Sequence, residues 1–129
     1  MFTGIIEQIG TVKSIEHEGS NIIFTIAAEF VSELKVDQSV AHNGVCLTVT
    51  AIHNDTYTVT AVAETLQKTN LGGLLQGQTI NLERCMPAGG RFDGHFVQGH
   101  VDALCECIDI QDMHGSWLFK SASDHHYAA

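Results

Sequence analysis

Residues 39–62 read SVAHNGVCLTVTAIHNDTYTVTAV, and the alternation in this stretch decides the fold. Val45, Leu47 and Val49 fall on one face of a strand, and Cys46, Thr48 and Thr50 fall on the other. The alternation runs from Val45 to Ile52, His53-Asn54-Asp55 supplies a turn, and Thr56 to Val62 returns as the hairpin partner. Upstream, Ser39 to His42 makes a short strand that Asn43-Gly44 interrupts.

Working outward, the same signals recur. Ile5 to Ile15 and Ile22 to Ala28 read as strands, separated by the polar cluster Glu16-His17-Glu18-Gly19-Ser20-Asn21. Glu29 to Leu34 carries apolar residues at helical spacing and predicts a turn or two of helix. Glu64 to Leu71 predicts a short helix stopped by Gly72-Gly73, and Ile80 to Glu83 a last strand. Six short strands with turns every eight to twelve residues, and helices only as plugs, point to an all-β protein. A small closed Greek-key barrel of six strands fits this pattern better than an open sheet, because closure removes exposed edges. Cys85 to Asp93, with the one proline at Pro87 and with Gly89-Gly90, has the composition of a linker.

Beyond the linker the chain starts again. Residues 2–12 read FTGIIEQIGTV and residues 97–107 read VQGHVDALCEC; a shift of 95 positions lays Gly4 on Gly99, Ile6 on Val101 and Glu7 on Asp102. Allowing one indel, Gly19-Ser20 meets Gly115-Ser116, with Ile23-Phe24 near Leu118-Phe119. A period this long indicates a duplicated small domain rather than a solenoid of short repeats. The expected division is a first barrel over residues 1–88, then a linker and the start of a second barrel over 89–129, incomplete in this chain.

Composition narrows the function classes. The apolar share of 44% and charged share of 16% are those of a globular protein. A net charge of -9 with six Lys and Arg argues against nucleic acid and against an anionic membrane surface. No apolar run approaches the length of a membrane span, and Met1-Phe2-Thr3-Gly4 lacks the basic start and apolar core of a signal peptide. The chain therefore reads as cytoplasmic, with Cys46, Cys85, Cys105 and Cys107 as reduced thiols. Cys105 and Cys107 would share one face of a strand, but no second ligand pair stands at C-x-x-C or H-x-x-x-H spacing, and adjacent His125-His126 point to opposite sides of an extended chain. No metal site is expected.

Three segments carry possible chemistry. The row Cys46, Thr48 and Thr50 offers thiol and hydroxyl groups to a shallow pocket, although Thr and Cys are also ordinary strand residues. Ala63 to Gly72 reads first as a helix with its stop. Gly94-His95-Phe96-Val97-Gln98-Gly99-His100-Val101-Asp102 sets two histidines among glycines, a pattern suited to close approach of backbone to something flat.

Taken in order, Met1-Phe2-Thr3-Gly4-Ile5-Ile6-Glu7, Ala41-His42-Asn43-Gly44-Val45-Cys46-Leu47-Thr48-Val49, Glu64-Thr65-Leu66 with Thr69-Asn70-Leu71-Gly72, and Gly94 to Val101 resemble the two-barrel riboflavin synthase family along the whole chain. The resemblance implies an enzyme, a transferase that moves a four-carbon unit between two molecules of 6,7-dimethyl-8-ribityllumazine, giving riboflavin and 5-amino-6-ribitylaminouracil. It implies no metal or organic cofactor, a homotrimer, and a site formed between the first barrel of one subunit and the second barrel of another. On that basis this chain alone completes at most one kind of half-site. Holding two substrates in the reactive pose is worth up to about 7–11 kcal/mol of the barrier.

Carried over by position, the resemblance assigns substrate binding to Gly4, Ile5 and Ile6, to Cys46, Leu47 and Thr48, to Thr60, Ala61, Val62, Ala63, Glu64 and Thr65, and to Gly99, His100 and Val101. Thr48 and the backbone near Ala61–Val62 would hold the pyrimidinedione edge. Catalytic candidates are Cys46, Ser39, His100 and Thr48; a histidine titrates near neutrality and suits the transfer of the C7-methyl proton. The nearest rival is a lumazine-binding antenna protein, which shares the two-barrel fold and binds a ligand without turnover. An oxidoreductase flavin domain is disfavoured, because no G-x-G-x-x-G segment follows.

Overall fold

The long first strand closes the structure on itself. The computed structural model describes residues 1–87, 89–90 and 95–123. Strands β1 (Gln8–Glu18), β2 (Asn21–Ala27), β3 (Ser39–His42), β4 (Val45–His53), β5 (Thr56–Ala61) and β6 (Thr79–Arg84) form a closed antiparallel barrel in the order β1-β2-β5-β4-β3-β6. β1 pairs with β6 through Gln8–Thr11 and with β2 from Thr11 onward, and a bulge between Val12 and Ser14 bends it where the partner changes. β3, β4 and β5 are successive hairpin partners, and β6 returns beside β3, which is the Greek-key arrangement. The six-stranded barrel is thus as the alternation predicts.

Alternation fills the interior. Val12, Phe24, Ile26, Val40, Val49, Val59 and Leu82 point inward and are buried, joined by Phe30 and Val31 from a 3-10 turn over Glu29–Glu33 and by Leu71. Each large apolar side chain withdrawn from water contributes about 1.5–3 kcal/mol. One polar pair lies among them: His42 Nε2 is 2.8 Å from Tyr57 Oη, and His42 Nδ1 finds no hydrogen-bond partner among the described residues. Burial lowers the His42 pKa to about 4, with partial opposition from the backbone of Val45 and Val40, and raises that of Tyr57.

Several strand ends shift by a residue, and boundaries differ from expectation by more in three places. β1 begins at Gln8, not Ile5, because Thr3 and Gly4 are drawn to the Glu83 carboxylate at the sheet's outer side. The turn over Glu16–Asn21 shrinks to Gly19-Ser20, since Glu18 pairs with Asn21; polar side chains at a barrel rim face water without breaking the ladder. Helix α1 covers Ala63–Lys68 and stops short of Leu71. There Thr69 turns extended, and its hydroxyl donates to the Thr65 carbonyl at 2.8 Å.

Arg84 ties the end of β6 to the N-terminal loop and to the 3-10 turn. Its guanidinium meets Glu7 at 2.7 Å and Glu33 at 3.4 Å and lies 4.8 Å over the Phe30 ring. The hydrogen bonds from Arg84 hold the Glu7 carboxyl below its ordinary range. A lysine lacks the planar fork for both tasks, so Arg84→Lys should lower the unfolding free energy by about 1 kcal/mol in urea titration.

The second copy appears as a hairpin, β7 (Glu106–Asp112) with β8 (Trp117–Ala122). Its register corrects the indel expected at the turn. Thr11 pairs with Ala27 and Glu106 with Ala122, so both strands keep the 95-residue offset. The bulges coincide too, at Val12/Ser14 and Cys107/Asp109. His114 (φ 59) therefore takes the place of Gly19 (φ 60), and Gly115 that of Ser20. The face that buries Ile22 and Phe24 in the first copy exposes Trp117 and Phe119 in the second.

Candidate functional site

The open edge of β4 is where the two copies meet. β5 pairs with β4 only from Val49 to His53, which leaves Val45 to Thr48 without a β5 neighbour. The Cys46 amide instead donates to the Gly99 carbonyl at 3.0 Å. Gly99 has φ +76, and a Cβ there would lie 2.8 Å from the Cys46 Cβ. Only glycine allows this approach without displacing backbone or neighbour. Further back, Phe2 and Val97 exchange backbone hydrogen bonds of 2.7 and 2.8 Å, so the N-terminal segment and the start of the second copy run as one antiparallel strap.

Below Gly99 a crevice of about 300 Å³ opens between β4, α1 and the strap. It brings together Cys46, Glu64, Thr65, Gly99, His100 and Val101, six of the residues expected at the site. Val45, Lys68, Thr69 and Asp102 complete it, none of them expected from the sequence as a site residue. For Lys68 a signal existed. It stands four residues after Glu64, and its ammonium lies 2.9 Å from the Glu64 carboxylate, holding that carboxyl below its ordinary range.

The remaining expected residues lie elsewhere. Ser39 and Thr48 face each other across β3 and β4, outside the crevice lining. Thr60 pairs with Ile23, and Ala61, fully buried, pairs with Ile22. The Leu47 side chain belongs to the core, so only its backbone can meet a ligand. Val62 and Ala63 begin α1 at the barrel surface, with Val62 exposed. Gly4 and Ile6 stay with the exposed N-terminal loop, and Ile5 lines a different, larger hollow of about 580 Å³ beside Arg84. That hollow is the weaker candidate despite its size, because Arg84, Glu7 and Glu33 within it already satisfy one another.

All four cysteines are free thiols, with Cys46 half-buried. Among the described residues no three His, Cys, Asp or Glu side chains cluster as metal ligands, and no helix is long and apolar enough to cross a membrane. Gly94 and the pair His125-His126 lie outside the described residues.

With this geometry in place, known proteins give the crevice a context. Residues 3–85 match the family described as lumazine binding domain. Riboflavin synthase of Bacillus amyloliquefaciens is 47% identical over 112 residues, 86% of this chain and 52% of that protein. Riboflavin synthase of Actinobacillus pleuropneumoniae is 40% identical over 121 residues, 93% of this chain and 56% of that protein. The chain spans about half the length of these curated relatives. LumP complexed with riboflavin superposes with a TM-score of 0.78 at 22% identity, covering 88% of this chain and 62% of that one. LumP complexed with 6,7-dimethyl-8-(1'-D-ribityl) lumazine also gives 0.78, at 21% identity over 88% and 64% of the two chains. At that identity the likeness is one of fold. The family match, over most of the barrel, goes further: the chain belongs to the lumazine-binding domain family.

Proposed function

We propose that this protein serves riboflavin synthase chemistry: its first barrel binds 6,7-dimethyl-8-ribityllumazine for transfer of a four-carbon unit to a second such molecule. The observation that carries the reading is the docking of Gly99 on Cys46, since it joins the first barrel's Cys46 and Thr65 to His100 and Val101 of the second copy around one crevice. Relatives that are 40–47% identical to this chain over the matched stretch are riboflavin synthases, which supports the enzyme over a purely binding protein. On this reading residues 1–88 are one ligand-binding unit, residues 89–129 begin a second, and a homotrimer in the cytoplasm supplies the facing barrel.

The roles follow the chemistry. The family resemblance gives the pyrimidinedione edge to Thr48 and the backbone near Ala61–Val62, and the margin to Gly4, Ile5 and Ile6, none of which lines the crevice. Cys46 and His100, both at the crevice, are the groups for activating a nucleophile or moving the C7-methyl proton, whereas Ser39 lies outside the lining; positioned proton transfer contributes roughly 10²–10⁴-fold. Cys46→Ser and His100→Gln should therefore each slow turnover by about a hundredfold while changing lumazine affinity little. Full activity in both variants would sink these roles. The reading itself is tested by incubating the full-length protein, with both barrels present, with 6,7-dimethyl-8-ribityllumazine and following riboflavin by chromatography. Tight binding without product would favour the antenna-type binding protein, and no binding would remove both.

A further inference from the structure

We propose that Glu83 is a positioning residue for the crevice, acting through the N-terminal strap rather than by touching ligand. Glu83 sits on β6 and points outward, yet it is almost wholly buried. Its two carboxylate oxygens accept three hydrogen bonds: from the Thr3 amide at 2.7 Å, the Thr3 hydroxyl at 2.8 Å and the Gly4 amide at 3.0 Å. The same Thr3 hydroxyl accepts from the Ile5 amide at 3.1 Å, which sets the course of the loop onward.

The barrel register turns this local clamp into a link. Glu83 pairs with Ala41, and Ala41 pairs with Cys46, so the three stand in one row across β6, β3 and β4. The strap crosses over that row. It is tied at one end by Glu83 to Thr3 and Gly4, in the middle by the Phe2–Val97 hydrogen bonds, and at the other end by the Gly99 carbonyl on Cys46. The small Ala41, itself buried, leaves room for the crossing. Phe2, a residue of the strap, is also buried and lies outside the barrel's core cluster. Gly99, His100 and Val101 leave the strap directly into the crevice. Releasing Thr3 and Gly4 would loosen the strand partner of Val97 and, through it, the place of His100.

Only an acceptor at both oxygens fits this clamp. In Glu83→Gln the side chain keeps its size, but one arm becomes an NH₂ group facing a donor. Amide hydrogen exchange and lumazine titration of the intact protein test the proposal together; the second arm rests on the function proposed above. In Glu83→Gln the Val97 and Cys46 amides should exchange about tenfold faster, with Phe24 and Val59 on β2 and β5 unchanged, and lumazine affinity should fall about tenfold. Thr3→Val removes only the hydroxyl and should give the same pattern at about threefold; it decides the matter should Glu83→Gln not fold. Glu16→Gln, on the exposed rim of β1, should change nothing.

Unchanged exchange at Val97 and Cys46 would overturn the clamp. Equal acceleration of all four amides would reduce Glu83 to a residue that merely holds the fold. Faster exchange with undiminished binding would show that the strap does not position the site. A wild-type protein that binds no lumazine would instead fail the functional reading, and the exchange data would still decide whether the clamp exists.

Discussion

Gly99→Ala should cost this protein about two orders of magnitude in lumazine affinity while leaving the barrel folded. Two penalties add at this position. A non-glycine residue at φ +76 carries about 1–2 kcal/mol of backbone strain, and the new Cβ, 2.8 Å from Cys46 Cβ and 3.0 Å from its amide nitrogen, forces a shift that costs about 1–3 kcal/mol. The strap can relieve both by lifting from β4, which takes His100 and Val101 away from the crevice; a loss of about 3 kcal/mol corresponds to roughly a hundredfold. The barrel's own ladder contains no bond to Gly99 except that from Cys46, so the melting temperature should move little. Gly73→Ala, where a Cβ meets nothing within 4 Å and φ is ordinary, should bind as wild type does. Lumazine titration that finds Gly99→Ala equal to wild type would show that the crevice does not depend on this contact.

The second large effect is on stability in acid. His42 is buried with a pKa near 4 in the fold, against 6.5 when unfolded. The unfolded chain therefore binds the proton first. The contribution is fully present above pH 6.5, is lost progressively as pH falls toward 4, and changes no further below that. The difference between the two values amounts to about 3 kcal/mol. The lowered Glu7 carboxyl acts with the same sign at more acid pH, present above 4.5 and lost below it. Urea midpoints measured between pH 7 and 4 should fall steeply in the wild type. The double variant His42→Leu with Tyr57→Phe removes both polar ends together and should flatten the fall. An unchanged pH slope in the double variant would mean that other groups carry the acid sensitivity.

Much of the barrel was legible because alternation has a physical cause. Val45, Leu47 and Val49 had to share a face, and the hairpins around Asn43-Gly44 and His53–Asp55 followed from turn chemistry. The second hairpin was harder. A glycine-to-glycine match at the turn suggested an indel, whereas the backbone keeps the 95-residue offset by placing His114 in the left-handed conformation that Gly19 adopts. Histidine is one of the few residues that tolerate that region, and nothing in a one-dimensional match reveals the choice. The His42–Tyr57 pair and the grip of Glu83 on Thr3, 80 residues away, were not legible at all, since both arise from register across strands distant in sequence. At the site, Cys46, Glu64, Thr65, Gly99, His100 and Val101 came together, while Ser39 and Thr48 stayed on the outer face of the neighbouring strand pair.

Ligand should sit where the second copy docks on the first barrel. Backbone NMR of the ¹⁵N-labelled protein during addition of 6,7-dimethyl-8-ribityllumazine tests it most directly. The amides of Cys46, Thr65, His100 and Val101 should shift in step with saturation, with Ala28, Ser32 and Asn54, beside a separate hollow, left in place. Shifts confined to those latter residues, or to the Arg84 hollow, would contradict it.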